Sequence, residues 1–177
     1  QGHHEFALKD SSRNYVRLLF AGDAMQHSTQ YLWAWKKDTR SYDYEPNFRY
    51  LRPYLADADI NIVNFETTLS GKPYGGYPKF RTPDAFLDEL VDAGFQVFSV
   101  ANNHILDGDK RGMRRTLKKL SPYPTMGAYR DTTERTDQYP LIFHIDDIKI
   151  ALFTATYGTN QLTPTWPCCV NYIETEQ

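Results

Sequence analysis

The chain has 177 residues, 20 Lys plus Arg against 22 Asp plus Glu, and a formal net charge of −2. With neither a basic excess nor a basic stripe, it is not built to hold nucleic acid by neutralising phosphates. Its 41% apolar content, with 13 Tyr, 10 Phe and 3 Trp, exceeds that of a disordered chain and suffices for one packed core, while no apolar run approaches the ~20 residues of a membrane span.

Residues 1–10 carry neither an initiator Met nor the apolar core of a signal peptide, so the start is expected to follow processing or trimming. Residues 15–21 (YVRLLFA) form a β-rich run ending at Gly22. Over residues 46–58, Phe48, Leu51, Leu55 and Ala58 recur at helical spacing across an interruption at Pro53. A second β-rich run covers residues 59–65 (DINIVNF). Thr82 then precedes Pro83, an N-cap followed by Pro at the first helical position. Phe86, Leu87, Leu90 and Val91 mark one face of that helix and Gly94 ends it.

Residues 96–101 (QVFSVA) are the third strand. In the helix over residues 110–120, Met113 and Leu117 point inward, while Arg111, Arg114, Arg115, Lys118 and Lys119 form a solvated face or an anion-binding one. Residues 140–145 and 148–154 read as two further strands around a turn at Asp146 and Asp147. From Tyr157 the periodicity fades into loop. Cys168 and Cys169 are sequence neighbours, too close for an unstrained bridge, and read as two ordinary thiols, with a redox switch or a disulfide to a partner as the alternative. No internal repeat is visible. Strands alternating with helices predict one α/β domain, a layered sandwich with a mainly parallel central sheet.

The chemistry gathers at the carboxyl ends of the first three strands. They close on Gly22 and Asp23, on Asn64, Phe65 and Glu66, and on Asn102, Asn103 and His104 followed by Asp107. The intervals between Asp23, Glu66 and Asn103 each suit one crossover unit, and ends on one edge of a parallel sheet converge where ligands bind. Carboxylates, an amide carbonyl and an imidazole together favour Mn, Zn or Fe over a thiolate-selective metal. Singly, Asp23 serves equally as a helix cap, Glu66 as a turn partner and the Asn pair as turn formers. Their joint occurrence at three successive strand ends points to a metal centre.

The motifs FAGDAMQH (20–27), DADINIVNFETTLSGKP (57–73), GFQVFSVANNHILDGDKRGM (94–113), MGAYRD (126–131) and IALFTATYGTN (150–160) occur in that order. Together they resemble bacterial capsule synthesis proteins of the poly-gamma-glutamate CapA type, within the calcineurin-like metallophosphoesterase superfamily. Residues 170–177 (VNYIETEQ) are similar to the family's continuation. The resemblance implies that Asp23, Glu66 and Asn103 ligate metal, that His104 is catalytic, and that Asp107 orients it. It also implies two divalent ions in the full-length protein. His27, four residues after Asp23, could face the site or be an ordinary capping residue.

The superfamily completes its site with a late Gly, His, any residue, His motif that is missing here; the one later histidine, His144, sits inside a strand as a structural residue. Residues 1–177 are therefore expected to be the N-terminal part of one such domain, incomplete at the C-terminus, with weak or absent metal binding on their own. Some aromatics should then lie exposed, or the chain should pair with its missing half or another copy.

The loop over residues 70–81 (SGKPYGGYPKFR) follows the second strand and should overhang the crevice, with Lys72, Lys79 and Arg81 as a grip on an anionic substrate. Tyr31, Trp33 and Trp35 read as core or interface packing, with stacking on a sugar or polymer as the alternative. Three readings of function result. The first is metal-assisted phosphoester hydrolysis in capsule biosynthesis. The second is a non-catalytic envelope protein that binds or exports an anionic polymer, and the third is amide hydrolysis of that polymer at the same residues. The resemblance implies a cell-envelope or extracellular place, with membrane attachment of the full-length protein.

Overall fold

A computed structural model of the chain describes residues 2–173; Gln1 and residues 174–177, the end of the family-like stretch 170–177, lie outside the described residues. The chain opens with β1 (His3–Phe6) and β2 (Leu18–Ala24). Helix α1 (Ser28–Ala34) leads into a ribbon of β3 (Trp35–Lys36) and β4 (Ser41–Tyr42). Then come α2 (Glu45–Phe48), α3 (Arg52–Asp57), β5 (Ile60–Phe65), α4 (Asp84–Ala93), β6 (Val97–Ser99) and α5 (Asp109–Leu120). The remainder is β7 (Thr125–Met126), β8 (Ala128–Tyr129), α6 (Thr132–Gln138), β9 (Leu141–Ile145), β10 (Ile148–Leu152) and β11 (Cys169–Val170).

The central sheet has the order β2-β5-β6-β7 and every pair in it is parallel. A second sheet, β1-β9-β10, joins an antiparallel hairpin to the parallel strand β1. Alternation along β5 shows how the layers stack. Val63 and Phe65 pack with Leu87 and Leu90 of α4 and Met113 and Leu117 of α5, whereas Ile60 and Ile62 pack with Leu141, Phe143 and Ile145 of β9. Successive strands run in one direction, the crossover helices cover one face of the sheet, and the second sheet covers the other. The α/β sandwich with a parallel core read from the sequence is the fold observed.

Two buried polar side chains fix the strand starts. Asn61 Nδ2 donates to the carbonyls of Leu55 (2.7 Å) and Gly94 (2.9 Å), tying the ends of α3 and α4 to β5. The Asp59 carboxylate accepts from the N–H groups of Lys9 (2.9 Å) and Arg17 (2.8 Å) and from the Arg13 guanidinium (3.0 Å). Burial opposes its ionisation, but these donors outweigh burial and hold Asp59 below the ordinary carboxylate range. This clamp aligns β2 against β5 at their amino ends and so sets which residues meet at the other.

Some expectations shift. The helix expected over 46–58 is two short ones, α2 and α3, with Pro53 in the first turn of the second, where its missing N–H costs nothing. Thr82 is not the cap of α4, which starts after Pro83; its hydroxyl instead meets that of Thr67 at 2.6 Å. Gly94 ends α4 at φ +121°, as expected of glycine. β2 begins later than the run 15–21 and continues through Asp23, with a register shift between Ala21 and Asp23. β10 ends at Leu152 rather than at residue 154. β2 is the edge strand of the central sheet among the described residues, and its Phe20 is 63% exposed. Among the described residues, no helix is long and apolar enough to cross a membrane.

Candidate functional site

β2 and β5 end side by side. The bulge at Gly22 brings Asp23, rather than its neighbour, opposite Asn64. Strand periodicity then sets Asn64 and Glu66 on the same side. The Asn64 Nδ2 donates to Asp23 Oδ1 at 2.8 Å and to Glu66 Oε2 at 2.9 Å, so carboxylates from two strand ends converge on one amide. Burial first, and then the hydrogen bond and charge of Asp23, push the Glu66 carboxyl up to about 7, while His104 and Asn64 act the other way.

The third strand end is tied to this pair through Asn102, which is 5% exposed. Its Nδ2 donates to Asn64 Oδ1 (3.1 Å) and to the Phe65 carbonyl (3.0 Å), and its Oδ1 accepts the His104 N–H (3.1 Å). Because Asn64 Oδ1 is taken by a donor, the Asn64 amide must turn its nitrogen to the carboxylates.

His104 Nδ1 stands 2.7 Å from Asp107 Oδ2, and the same oxygen accepts the Phe80 N–H at 2.6 Å. The Asp107 carboxylate, when ionised, favours the His104 proton on Nδ1 and so leaves Nε2 free, although the Asn160 amide nitrogen also comes within 3.4 Å of Nδ1. Burial raises Asp107 above the ordinary carboxylate range, against the pull of Phe80 and His104. The Phe80 ring packs edge-on against His104 (4.6 Å between centroids) and on its other side meets His27 (5.2 Å).

A cavity of about 360 Å³ opens beside these groups, walled by Tyr77, Pro78 and Lys79 on one side and by Asn103, His104, Asp107 and Asn160 on the other. The loop over 70–81 thus does overhang the crevice, but its three cations fare differently. Lys79 lines the cavity. The Arg81 guanidinium donates to the Asp107 carbonyl at 3.3 and 3.1 Å, and Lys72 is exposed without a hydrogen bond or ion pair among the described residues.

Of the other residues singled out, Asn103 donates to Asn160 Oδ1 at 3.3 Å on the cavity wall and makes no hydrogen bond to the Asp23 and Glu66 carboxylates. His27 caps α1, its N–H bonded to Gln30 Oε1 (2.6 Å), with Phe80 between it and His104. His144 lies in β9 as expected, half-buried. Tyr31 and Trp35 pack on Tyr74 and Tyr42, but Trp33 is 84% exposed and has no place in the core. On α5, Arg115 and Lys119 both pair with Asp84 at 2.8 Å, while Arg111, Arg114 and Lys118 face outward. Both cysteines are free.

Sequence reasoning places Asn64 at its strand end without giving it a role, and passes over Phe80 and Asn160. The signal for Asn64 is a polar residue within an apolar strand, two residues from Glu66. Phe80 contributes a backbone N–H, which no residue type announces.

Among the described residues, no three His, Cys, Asp or Glu side chains assemble into a metal-holding group. The donors that do meet, Asp23 and Glu66, have the oxygen chemistry of divalent-cation ligands and a mutual repulsion that a cation relieves. In this respect the residues fit a metal. The family model described as bacterial capsule synthesis protein PGA_cap matches residues 17–173. No curated protein matches the chain.

Proposed function

The chain belongs to the bacterial capsule synthesis protein family, and from that membership we propose that its crevice is a metallophosphoesterase-like site that hydrolyses a phosphoester in the making of an envelope capsule. The observation that carries this reading is the continuous hydrogen-bonded path from Asp23 through Asn64 and Asn102 to His104 and Asp107. It joins a carboxylate pair to an oriented imidazole beside a cavity edged by a lysine.

Asp23 and Glu66 would hold a divalent ion, Mn, Zn or Fe, with Asn103 as a further oxygen donor. Such an ion supplies Lewis acidity and lowers the pKa of a bound water. The protein's own groups do the remainder. Lys79 attracts and holds the anionic group. Asp107 fixes the His104 ring with its proton on Nδ1 and stabilises the ring when it is charged. His104, charged, then gives its Nε2 proton to the leaving oxygen. Hydrolysis of p-nitrophenyl phosphate and of its diester, with Mn²⁺ or Zn²⁺ supplied, tests this. Activity lost in both Asp23→Asn and His104→Ala supports the assignment, and activity surviving both ends it.

Lys79 on the cavity wall and the free Lys72 favour a second reading, a grip on an anionic capsule polymer such as poly-gamma-glutamate without hydrolysis. Chelator-insensitive, salt-sensitive polymer binding is its signature, and polymer shortening in the same assay would reveal amide hydrolysis instead. In either case the protein works at the cell envelope.

A further inference from the structure

A second group of chemically capable side chains lies away from the crevice, on the outer face of the second sheet. Parallel register sets His3 opposite Ile142 and Glu5 opposite His144, so His3, Glu5 and His144 share one face. Lys149 of β10, opposite His144, borders it. The inner face carries Phe143 and Ile145 into the core, with His4 edge-on to Phe143. The outer face therefore presents two imidazoles that the packing of the sheet does not require.

Their geometry is specific. Nδ1 of His3 lies 3.1 Å from Nε2 of His144, with ring planes 22° apart. Two ring nitrogens at this distance cannot both turn lone pairs into the gap unless a proton or a cation lies between them. Nitrogen ligands ~2.0–2.1 Å from one metal, at angles between square and tetrahedral, are themselves about 3 Å apart. His3 is exposed and His144 half-buried, which leaves the His3 ring room to turn its lone pair toward a shared ion.

We propose that His3 and His144 form a two-histidine surface site for a divalent transition ion of the imidazole-preferring class, Zn²⁺, Ni²⁺ or Cu²⁺, with water completing the coordination. Imidazole donors exclude Mg²⁺ and Ca²⁺. The ion ties β1 to β9 across residues 141 positions apart in sequence, and so acts as a clamp on the first strand, independent of the crevice.

The test is a thermal melt and calorimetric titration of the chain with ZnCl₂, NiCl₂ and CuCl₂ against MgCl₂ and CaCl₂. Saturation near one hundred times the dissociation constant should raise the melting temperature by roughly 5–10 °C. His3→Ala and His144→Ala should each weaken binding at least tenfold, while His4→Ala and Asp23→Asn retain it. A shift absent from the Asp23→Asn chain, whose crevice no longer holds an ion of its own, or one that persists in that chain once His3→Ala and His144→Ala are added, overturns the proposal. Should either histidine variant fold poorly, electron paramagnetic resonance of Cu²⁺ on the unaltered chain decides: coupling to two imidazole nitrogens supports the site, and an oxygen-only spectrum overturns it.

Discussion

His104 and Asp107 act as one unit: the imidazole Nδ1 is 2.7 Å from a buried carboxylate oxygen that also takes the Phe80 N–H. Asp107→Ala removes the acceptor from both donors. The stranded Phe80 N–H, buried with its residue, should cost about 1–3 kcal/mol, read as a lower urea midpoint at unchanged slope. Asp107→Asn keeps the shape and should lose less stability, yet it frees the tautomer of His104. If the imidazole donates the leaving-group proton, kcat should fall by ~10²–10⁴ while KM changes little. A variant with normal kcat would reduce Asp107 to a structural role.

Glu66 gives the crevice a pH signature. Its carboxyl is raised from 4.5 to about 7 in the folded protein, by burial and then by Asp23. Between those values the folded chain holds a proton that the unfolded chain has released, so stability falls as pH rises through this window. The contribution is complete below 4.5 and gone above about 7. Denaturant unfolding at a series of pH values should show this decline in the native chain. Glu66→Gln should flatten the decline and be the more stable protein at pH 8. A divalent ion bound by the pair should likewise bring the Glu66 titration down toward the ordinary range.

Much of this site was legible because strand ends are legible. YVRLLFA, DINIVNF and QVFSVA are each followed within two residues by a carboxylate or an amide, and parallel strands joined by crossovers must bring those ends together. What stayed hidden depends on register and on backbone. Nothing in the sequence fixes the bulge at Gly22, yet that bulge decides that Asp23 meets Asn64. The strand β1 (HHEF) has neither the length nor the alternation to declare itself, and exists because β9 offers a free edge. Thr82 has the right chemistry for a cap, but a tertiary partner, Thr67, claims its hydroxyl.

Asn64 is the keystone of the carboxylate pair. Asn64→Leu removes the one amide that donates to both Asp23 and Glu66 and strands the Asn102 amide on its other side. A cost of about 1–3 kcal/mol follows from those lost partners. Asn64→Asp adds a third acidic group at the same place, and its penalty should be larger at pH 8 than at pH 5, where the cluster can hold protons. Equal penalties at both pH values would mean that the pair is not electrostatically coupled through this position.

Lys79 and Arg81 are two residues apart on one loop, and their substitutions should separate binding from structure. Lys79 lines the cavity and is exposed. Lys79→Ala should leave stability within ~0.5 kcal/mol, weaken binding of a polyanion such as poly-gamma-glutamate, and flatten its dependence on salt, because one screened charge has gone. Arg81 instead spends its guanidinium on the Asp107 carbonyl, while its backbone exchanges hydrogen bonds with Gly75 at 2.9 and 3.0 Å. Arg81→Ala should therefore lower stability by about 1.5–3 kcal/mol through loss of charged hydrogen bonds, and should leave the salt dependence of whatever binding survives as steep as before. Unfolding midpoints and binding isotherms at low and high salt, taken on both variants, give the comparison. If Arg81→Ala flattens the salt dependence and Lys79→Ala does not, the anion lies on the Arg81 side of the loop and the cavity is not its seat.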